Sequence, residues 1–239
     1  MYKNEVHVRP NLFNEKMADS KKIAIGNDGF VEIMETFGSD LTVVNAARVS
    51  FDKESLELTQ KDVGLINYLA RHEHTSPFFH PQLRFRLRMP IFVAREWFRH
   101  TVGFSRNEIS RRYVDSEPSM WIPEELRERD ANLKQGSKDT VIANNSEMVE
   151  VYKSAMETSL KTYNFLLTAN VAPEIARAVL PQSMYTEFIE TGSLAAYARL
   201  CRLRMDSHAQ KEIQDFAHAV CELVKKDFPN SWEALTKTF

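Results

Sequence analysis

The stretch "LRFRLRMPIFVAREWFRH", residues 83–100, contains the sharpest change of pattern in this sequence of 239 residues. Its first seven residues alternate apolar side chains with arginines, which predicts a β-strand with one buried face and one row of arginines. Pro90 follows, where the first turn of a helix tolerates proline, and the run after it predicts a helix. The stretch therefore predicts a sheet strand that leads directly into a helix.

The segments on either side continue this mixture of strands and helices. Strands are predicted at 29–38 and 183–190, and helices at 41–50, 58–74, 146–170, 172–181, 193–205 and 207–228. The segment 115–145 is irregular and rich in charge, and we expect it to form a mobile loop over a site. Because no repeat or linker divides the chain, we predict one mixed α/β (α+β) domain at 22–239 after a polar extension, 1–21.

The composition limits the class of protein. Hydrophobic residues make up 43% of the chain, enough for a sizeable core, and a formal net charge of -2 argues against a surface built throughout for nucleic acid. No apolar run approaches a membrane span, and the first residues lack the apolar core of a signal peptide, so we expect a cytoplasmic protein. Cys201 and Cys221 lie in helical patterns, which favours buried reduced thiols over a disulfide or a nucleophile.

Basic residues concentrate between Arg84 and Arg112. This region holds eight arginines against two acids, Glu96 and Glu108, a net charge of +6. A solvated surface, a nucleic-acid arm and a site for a small anion all fit that charge. Strand alternation alone explains the first three arginines, whereas Arg99, Arg111 and Arg112 have few acidic neighbours and favour a phosphate-bearing ligand.

A second candidate is the arginine near the end of the helix predicted at 193–205. Helical spacing places Arg204 on the same face as Leu200 and Cys201, and His208 follows one turn later if the helix continues. An arginine on an apolar stripe must meet a buried partner or a bound anion. Two interpretations stay open, namely a bound anion and a structural pair with an acid such as Asp206.

Other site classes find no support in the sequence. The spacing of His72, His74 and His80 matches no specific zinc pattern, so we expect no metal site. The chain also lacks glycine-rich phosphate loops and the HExxH, GxSxG and CxxC motifs.

Several of these segments together resemble one enzyme family. "WFRH" followed by "SRNEISRRY" is similar to the signature of the flavin-dependent thymidylate synthases, RHR followed after seven or eight residues by Ser. "DLTVVNAARVSF", "HTSPFFH", "IARAVLP", "MYTEF" and "LRMDSHAQKEIQDFA" occur in the order and at the spacing of that family. The resemblance covers about residues 22–239.

The resemblance implies a homotetramer of mixed α/β subunits, each with a central sheet flanked by helices. Such a protein binds FAD and dUMP in sites shared between subunits. NADPH reduces the flavin, 5,10-methylenetetrahydrofolate supplies the one-carbon unit, and a hydride completes dTMP without an enzyme nucleophile. Neither a nucleic acid nor a membrane would be a partner.

The resemblance also assigns roles to residues by their position. Arg204 would be catalytic, polarising the pyrimidine and favouring its ionisation at N3. The substrate-binding residues would be Glu96, Arg99, Glu108, Ser110, Arg111, Arg112, Arg204 and, from another subunit, Arg177. The cofactor-binding residues would be His74, Ser76, Arg99, His100, Asn107, Glu108, Arg199 and His208.

The sequence departs from the family pattern at several places. Thr101 replaces the last arginine of the signature, and Ser193 and Ala195 replace an Asn-x-Arg pair that contacts FAD in many members. Glu96 replaces a glutamine beside the nucleotide, and its carboxylate could accept a hydrogen bond from the exocyclic amine of cytosine. Two alternatives follow, an enzyme of the same fold that methylates or hydroxymethylates dCMP or dUMP to a modified nucleotide, and a nucleic-acid-binding protein that uses the arginine row.

Overall fold

The computed structural model describes residues 21–114, 116–130 and 136–237. Within them, five antiparallel strands form one sheet in the order β1-β2-β3-β5-β4. The strands are β1 (Lys22–Ile25), β2 (Gly29–Phe37), β3 (Gln82–Pro90), β4 (Phe104–Glu108) and β5 (Tyr185–Ser193). Among the strands of the described residues, β4 pairs with β5 alone and so lies at one end of the sheet.

Strand β3 confirms the alternation that the sequence predicts. Its apolar side chains, Leu83, Phe85, Leu87 and Met89, are fully buried in the core. Its arginines lie on the other face and pair with acids, Arg84 with Glu35, Arg86 with Glu187, and Arg88 with both Asp28 and Glu187. The arginine row is therefore tied into the sheet by acidic partners, which argues against a free basic stripe for nucleic acid.

The helices are α1 (Asp40–Arg48), α2 (Gln60–Arg71), α3 (Ile91–Trp97), α4 (Asn145–Thr168), α5 (Pro173–Ala176), α6 (Leu194–Arg204), α7 (Lys211–Asp227) and α8 (Pro229–Thr236). Helices α3, α6 and α7 pack on the sheet, and α8 packs against α2, α6 and α7. A mixed α/β domain with one sheet and its helices is confirmed. No helix among the described residues is long and apolar enough to cross a membrane.

Strands β1 and β4 and helix α8 were not predicted from the sequence, for different reasons. Strands β1 and β4 have only four and five residues, so their alternation is too short to detect. Helix α8 begins at a proline, where the predicted helix 207–228 was expected to end, and α7 itself begins only at Lys211. Pro90 ends β3 and caps α3 in an extended conformation, so it lies before the first turn and not within it.

The segment between β4 and α4 is irregular, as predicted, but backbone hydrogen bonds fix its described parts. Trp121 donates to the carbonyl of Ser183 at 2.8 Å, and Ile142 donates to that of Leu126 at 3.0 Å. The first of these bonds holds the segment beside the residues that lead into β5, and the second closes a turn within the segment. The predicted extension lies outside the described residues except for Lys21.

Candidate active site

The C-terminal ends of α3 and α6 meet, and three polar residues join there. Arg204, the last residue of α6, donates from Nε to Nε2 of His100 at 3.0 Å. It also donates from Nη2 to the carbonyl oxygen of Glu96 at 3.0 Å and from Nη1 to the Glu96 carboxylate at 3.4 Å. Arg204 therefore pairs with Glu96 across the fold, and the expected alternative, Asp206, is wrong.

The electrostatics of this cluster keep His100 neutral. Burial, followed by the nearby charges of Arg204 and Arg106, lowers the pKa of His100 to about 4. A neutral ring can accept the Arg204 hydrogen bond at Nε2 while Nδ1 keeps the proton. His100 therefore orients Arg204 without competing for its charge.

Arg204 keeps part of its donor capacity for a ligand. A guanidinium has five N–H groups, and three hydrogen bonds to described residues are formed by Arg204. Its side chain is 20% exposed, so part of it is accessible to a ligand. The arrangement suits recognition of a planar acceptor such as a pyrimidine carbonyl.

A buried ion pair lies directly beneath this cluster and was missed in the sequence. The Glu190 side chain is fully buried on β5, accepts a hydrogen bond from Trp97 Nε1 at 3.1 Å, and pairs with Arg106 of β4. The sequence does carry a signal for this burial. Glu190 lies two residues after Phe188 in the predicted strand, so both side chains fall on the core face of the sheet.

The turn after β4 carries the predicted phosphate-binding residues. Ser110 Oγ accepts hydrogen bonds from the backbone N and the Nε of Arg112, both at 3.3 Å, and Arg111 donates to the carbonyl of Ser116. Among the described residues, the buried Nε of Arg111 has no partner. Burial lowers the pKa of Arg111, against a smaller opposing effect of Tyr163. An arginine with an unpaired donor is suited to an anion.

Glu108 and Asn107 lie on opposite faces of β4, because neighbouring strand residues alternate. Glu108 shares the core-side face with Arg106 and accepts a hydrogen bond from Thr186 Oγ1 at 2.5 Å. Asn107 is exposed on the other face. The structure therefore brings Glu108, but not Asn107, to the same face as the cluster.

A cavity of about 820 Å³ opens between α2, α6 and α8. Its lining includes the cations Arg71, Arg199, Arg202 and Lys237 together with the apolar Phe79 and Ala195. Arg199 reaches the carbonyl of Val102 at 2.5 Å and so links the cavity to the turn after α3. His74 and Ser76 are exposed and flank Thr75, which lines the cavity.

Ser193 has a structural role at the start of α6. It is buried, and its hydroxyl accepts a hydrogen bond from the backbone N of Ala196 at 3.2 Å, which caps the helix. The Ser193 hydroxyl is therefore used within the fold and is not directed at the cavity.

Three further predicted residues have exposed side chains outside the cluster. Arg99 is exposed, and Arg177 is exposed with a local hydrogen bond to the carbonyl of Glu174 at 3.4 Å. His208 is exposed and hydrogen-bonded to Asp206, because α6 ends at Arg204, close to the predicted end of the helix, and does not continue to His208. Asp206 accepts from the backbone of His208, a local turn that replaces helical hydrogen bonding.

The two thiols are unsuited to nucleophilic attack. Cys201 is fully buried, and burial raises its pKa well above the usual range. Cys221 is half-buried, and its Sγ accepts a hydrogen bond from Trp232 Nε1 at 3.1 Å. No group of three or more metal-binding side chains gathers within the part of the chain that the structure describes.

The structure is that of a mixed α/β protein in which Arg204 and a neutral His100 join at the ends of α3 and α6, with an arginine-rich turn after β4 and a cationic cavity lined in part by α6. The family described as "Thymidylate synthase complementing protein" matches residues 32–230. The chain belongs to this family of flavin-dependent thymidylate synthases, which are methyltransferases.

Individual relatives are similar to this chain over most of their length. A flavin-dependent thymidylate synthase from Thermotoga neapolitana is 39% identical, covering 90% of this chain and 94% of that protein. One from Thermosipho africanus is 38% identical, covering 87% and 91%. Among solved structures, a UMP/dUMP methylase from Streptomyces cacaoi bound with 5-Br dUMP is 34% identical with a TM-score of 0.80, covering 90% of this chain and 97% of that one.

Proposed function

We propose that this enzyme reductively methylates dUMP to dTMP with a bound flavin, taking the one-carbon unit from methylenetetrahydrofolate and reducing equivalents from NADPH. The observation that carries the proposal is Arg204, held by neutral His100 and Glu96 with donors left for a ligand. The Streptomyces cacaoi methylase, seen bound with both 5-Br dUMP and 5-Br UMP, supports a uridine monophosphate as the substrate class.

Arg204 would act on the base of the nucleotide. Methylation at C5 of uracil requires electron density at that carbon, and ionisation at N3 supplies it. A guanidinium beside the base stabilises the negative charge that develops, and its hydrogen bonds strengthen as that charge grows. His100 and Glu96 keep Arg204 in place, so little reorganisation is needed during the reaction. The chemistry needs no enzyme nucleophile, in agreement with the environments of Cys201 and Cys221.

Ser110, Arg111 and Arg112 would bind the 5'-phosphate. The unpaired Nε of Arg111 supports this role, since a phosphate oxygen supplies the missing acceptor. Glu108 would lie between nucleotide and flavin, on the face of β4 that carries Arg106. Arg99 would contact both ligands from its exposed position after α3.

A second subunit would complete the phosphate site. Arg177 is exposed, and exposed apolar side chains surround its region, with Phe165 70% and Ile175 63% accessible. Such exposed apolar groups are typical of a surface that another subunit covers. We therefore propose that Arg177 reaches the nucleotide of a neighbouring subunit in a homotetramer, and that residues 22–239 form the catalytic domain.

The cavity fits FAD in size and charge. Ligand cavities commonly enclose 300–1,000 Å³, and this one has cations for a pyrophosphate and apolar walls for a ring system. Arg199, His74 and Ser76 would hold the cofactor there, while His100 would approach it from the cluster and Asn107 and His208 from outside it. When bound, the flavin would supply the hydride that completes the methyl group.

The test combines a spectrum with a substrate comparison. The purified protein should show flavin absorbance or acquire it on loading with FAD, and with NADPH and methylenetetrahydrofolate it should convert dUMP to dTMP. Parallel reactions with UMP and dCMP, analysed by mass spectrometry, define the base and sugar. Conversion of dCMP alone would overturn the uracil assignment in favour of the alternative that Glu96 suggests. A protein that binds no flavin would overturn the proposal altogether.

A further inference from the structure

The buried pair of Glu190 and Arg106 does more than fill the core. Glu190 lies in the middle of β5, directly opposite Arg106 of β4 in the sheet register. Each of its carboxylate oxygens has a partner, Trp97 Nε1 on one and Arg106 Nε on the other. A buried carboxylate needs such partners, because an isolated buried charge is strongly unfavourable. Glu190 therefore binds the end of α3 and the edge strand to the centre of the sheet.

Arg106 extends this connection to the candidate active site. Its Nη2 donates to the backbone carbonyl oxygen of His100. Its guanidinium lies 5.3 Å from the ring centre of Phe98 and 4.9 Å from that of Phe104, which restricts its movement. The Arg106 guanidinium thus forms hydrogen bonds both with the Glu190 carboxylate and with the turn that carries His100.

We propose that Arg106, supported by Glu190, is a positioning residue that fixes the His100 ring for its hydrogen bond with Arg204. The backbone carbonyl that Arg106 holds belongs to the same residue whose ring meets Arg204. Loss of Arg106 would free the turn between α3 and β4 at this residue. The effect on turnover rests on the proposed function, whereas the effect on His100 does not.

Charge gives the proposal a second, measurable consequence. The groups facing His100 are Arg204 and Arg199 from α6, Arg106 from β4, the adjacent Arg99, and Glu96 from α3 on the far side of Arg204. Each arginine disfavours the protonated ring. Removing the Arg106 charge should raise the pKa of His100, while a purely structural role at a distance would leave that pKa unchanged.

The experiment uses the full chain with paired substitutions. Arg106→Met alone leaves Glu190 as an uncompensated buried charge and would destabilise the fold. The double variant Arg106→Met/Glu190→Gln removes both charges and keeps an acceptor for Trp97. Arg106→Lys retains the charge but lacks the planar guanidinium that donates to both Glu190 and the His100 carbonyl. Arg127→Met is the control, because it breaks the half-buried pair of Arg127 with Glu212 away from the cluster.

Two readouts are measured, the NMR titration of the His100 ring, assigned with His100→Gln, and the steady-state rate. In the double variant we expect the unfolding midpoint near that of the wild type, the His100 pKa raised above its wild-type value, and kcat reduced by about tenfold, with KM for the nucleotide changed less. Arg106→Lys should keep the low His100 pKa and lose part of kcat. Arg127→Met should alter neither readout.

A double variant that folds with wild-type titration and wild-type kcat would overturn the positioning role. If the wild-type chain does not methylate dUMP, the proposed function fails, and the ring ¹⁵N shifts of His100 in the same NMR experiment decide the role of Arg106. A double variant in which Nε2 still accepts the Arg204 hydrogen bond as in the wild type would overturn that role. If the double variant does not fold, Arg106→Lys carries the test, and a wild-type kcat in that variant would likewise overturn the proposal.

Discussion

Replacement of Arg204 by Met should remove most of the catalysis while leaving the fold and flavin binding intact. Arg204 lies 20% exposed at the end of α6, with three donors on His100 and Glu96 and the remaining two N–H groups available to a ligand. Hydrogen bonds that involve a charged group contribute about 1.5–3 kcal/mol each. Two such bonds to a charge that develops in the transition state would contribute about 3–6 kcal/mol, which corresponds to a fall in kcat/KM of about 10²- to 10⁴-fold.

The assay compares initial rates of dTMP formation with the flavin spectrum of each variant. Arg204→Lys should fall between the wild type and Arg204→Met, because it keeps the charge but loses the fork. Arg95→Met is the matched control, since Arg95 is an exposed arginine of α3 beside Glu96. The reasoning would be refuted if Arg204→Met kept a kcat/KM within about threefold of the wild type, well below the expected loss.

Two stability predictions follow from buried features away from the site. The Asp62 carboxylate accepts hydrogen bonds from Thr59 and Arg48, which hold its pKa well below the usual range. Asp62→Asn should therefore lower the free energy of unfolding at neutral pH by about 3 kcal/mol, measured by urea unfolding. That cost should persist above the unfolded-state pKa of about 3.9 and shrink as the pH falls below it, and an undiminished cost in acid would contradict the linkage. At Gly192 an added Cβ would lie 2.5 Å from an aromatic ring carbon, so Gly192→Ala should destabilise by about 1–3 kcal/mol. Gly64→Ala meets nothing within 4 Å in α2 and should be neutral or stabilising in the same titration; a larger loss there than at Gly192 would show the packing argument to be wrong.

The elements with long regular patterns were predictable from the sequence. Strand β3 alternates over its whole length, so its buried and charged faces followed from period alone. The apolar stripe of α6 likewise placed Arg204 near the core. Strand β4 could not be predicted, because a strand of five residues at a sheet edge is defined by its partner β5 more than by its own composition.

Contacts between residues far apart in the chain could not be predicted from local sequence patterns. Arg204 pairs with Glu96, 108 positions earlier in the chain, whereas local reasoning could offer only a neighbouring acid such as Asp206 as a protein partner. The same limit hid the pair of Arg106 and Glu190, which the sheet register brings together. The roles of the candidate site residues came from family resemblance, since charge and spacing indicated an anion but not a flavin.

The central claim, that this chain methylates dUMP at C5, is tested most directly by release of tritium from C5 of labelled dUMP. The complete reaction contains the flavin-loaded enzyme, NADPH and methylenetetrahydrofolate. The account predicts tritium release matched by dTMP formation in the complete reaction, and loss of both when the folate is omitted or Arg204 is replaced by Met. No release in the complete reaction, or release unchanged in Arg204→Met, would contradict it.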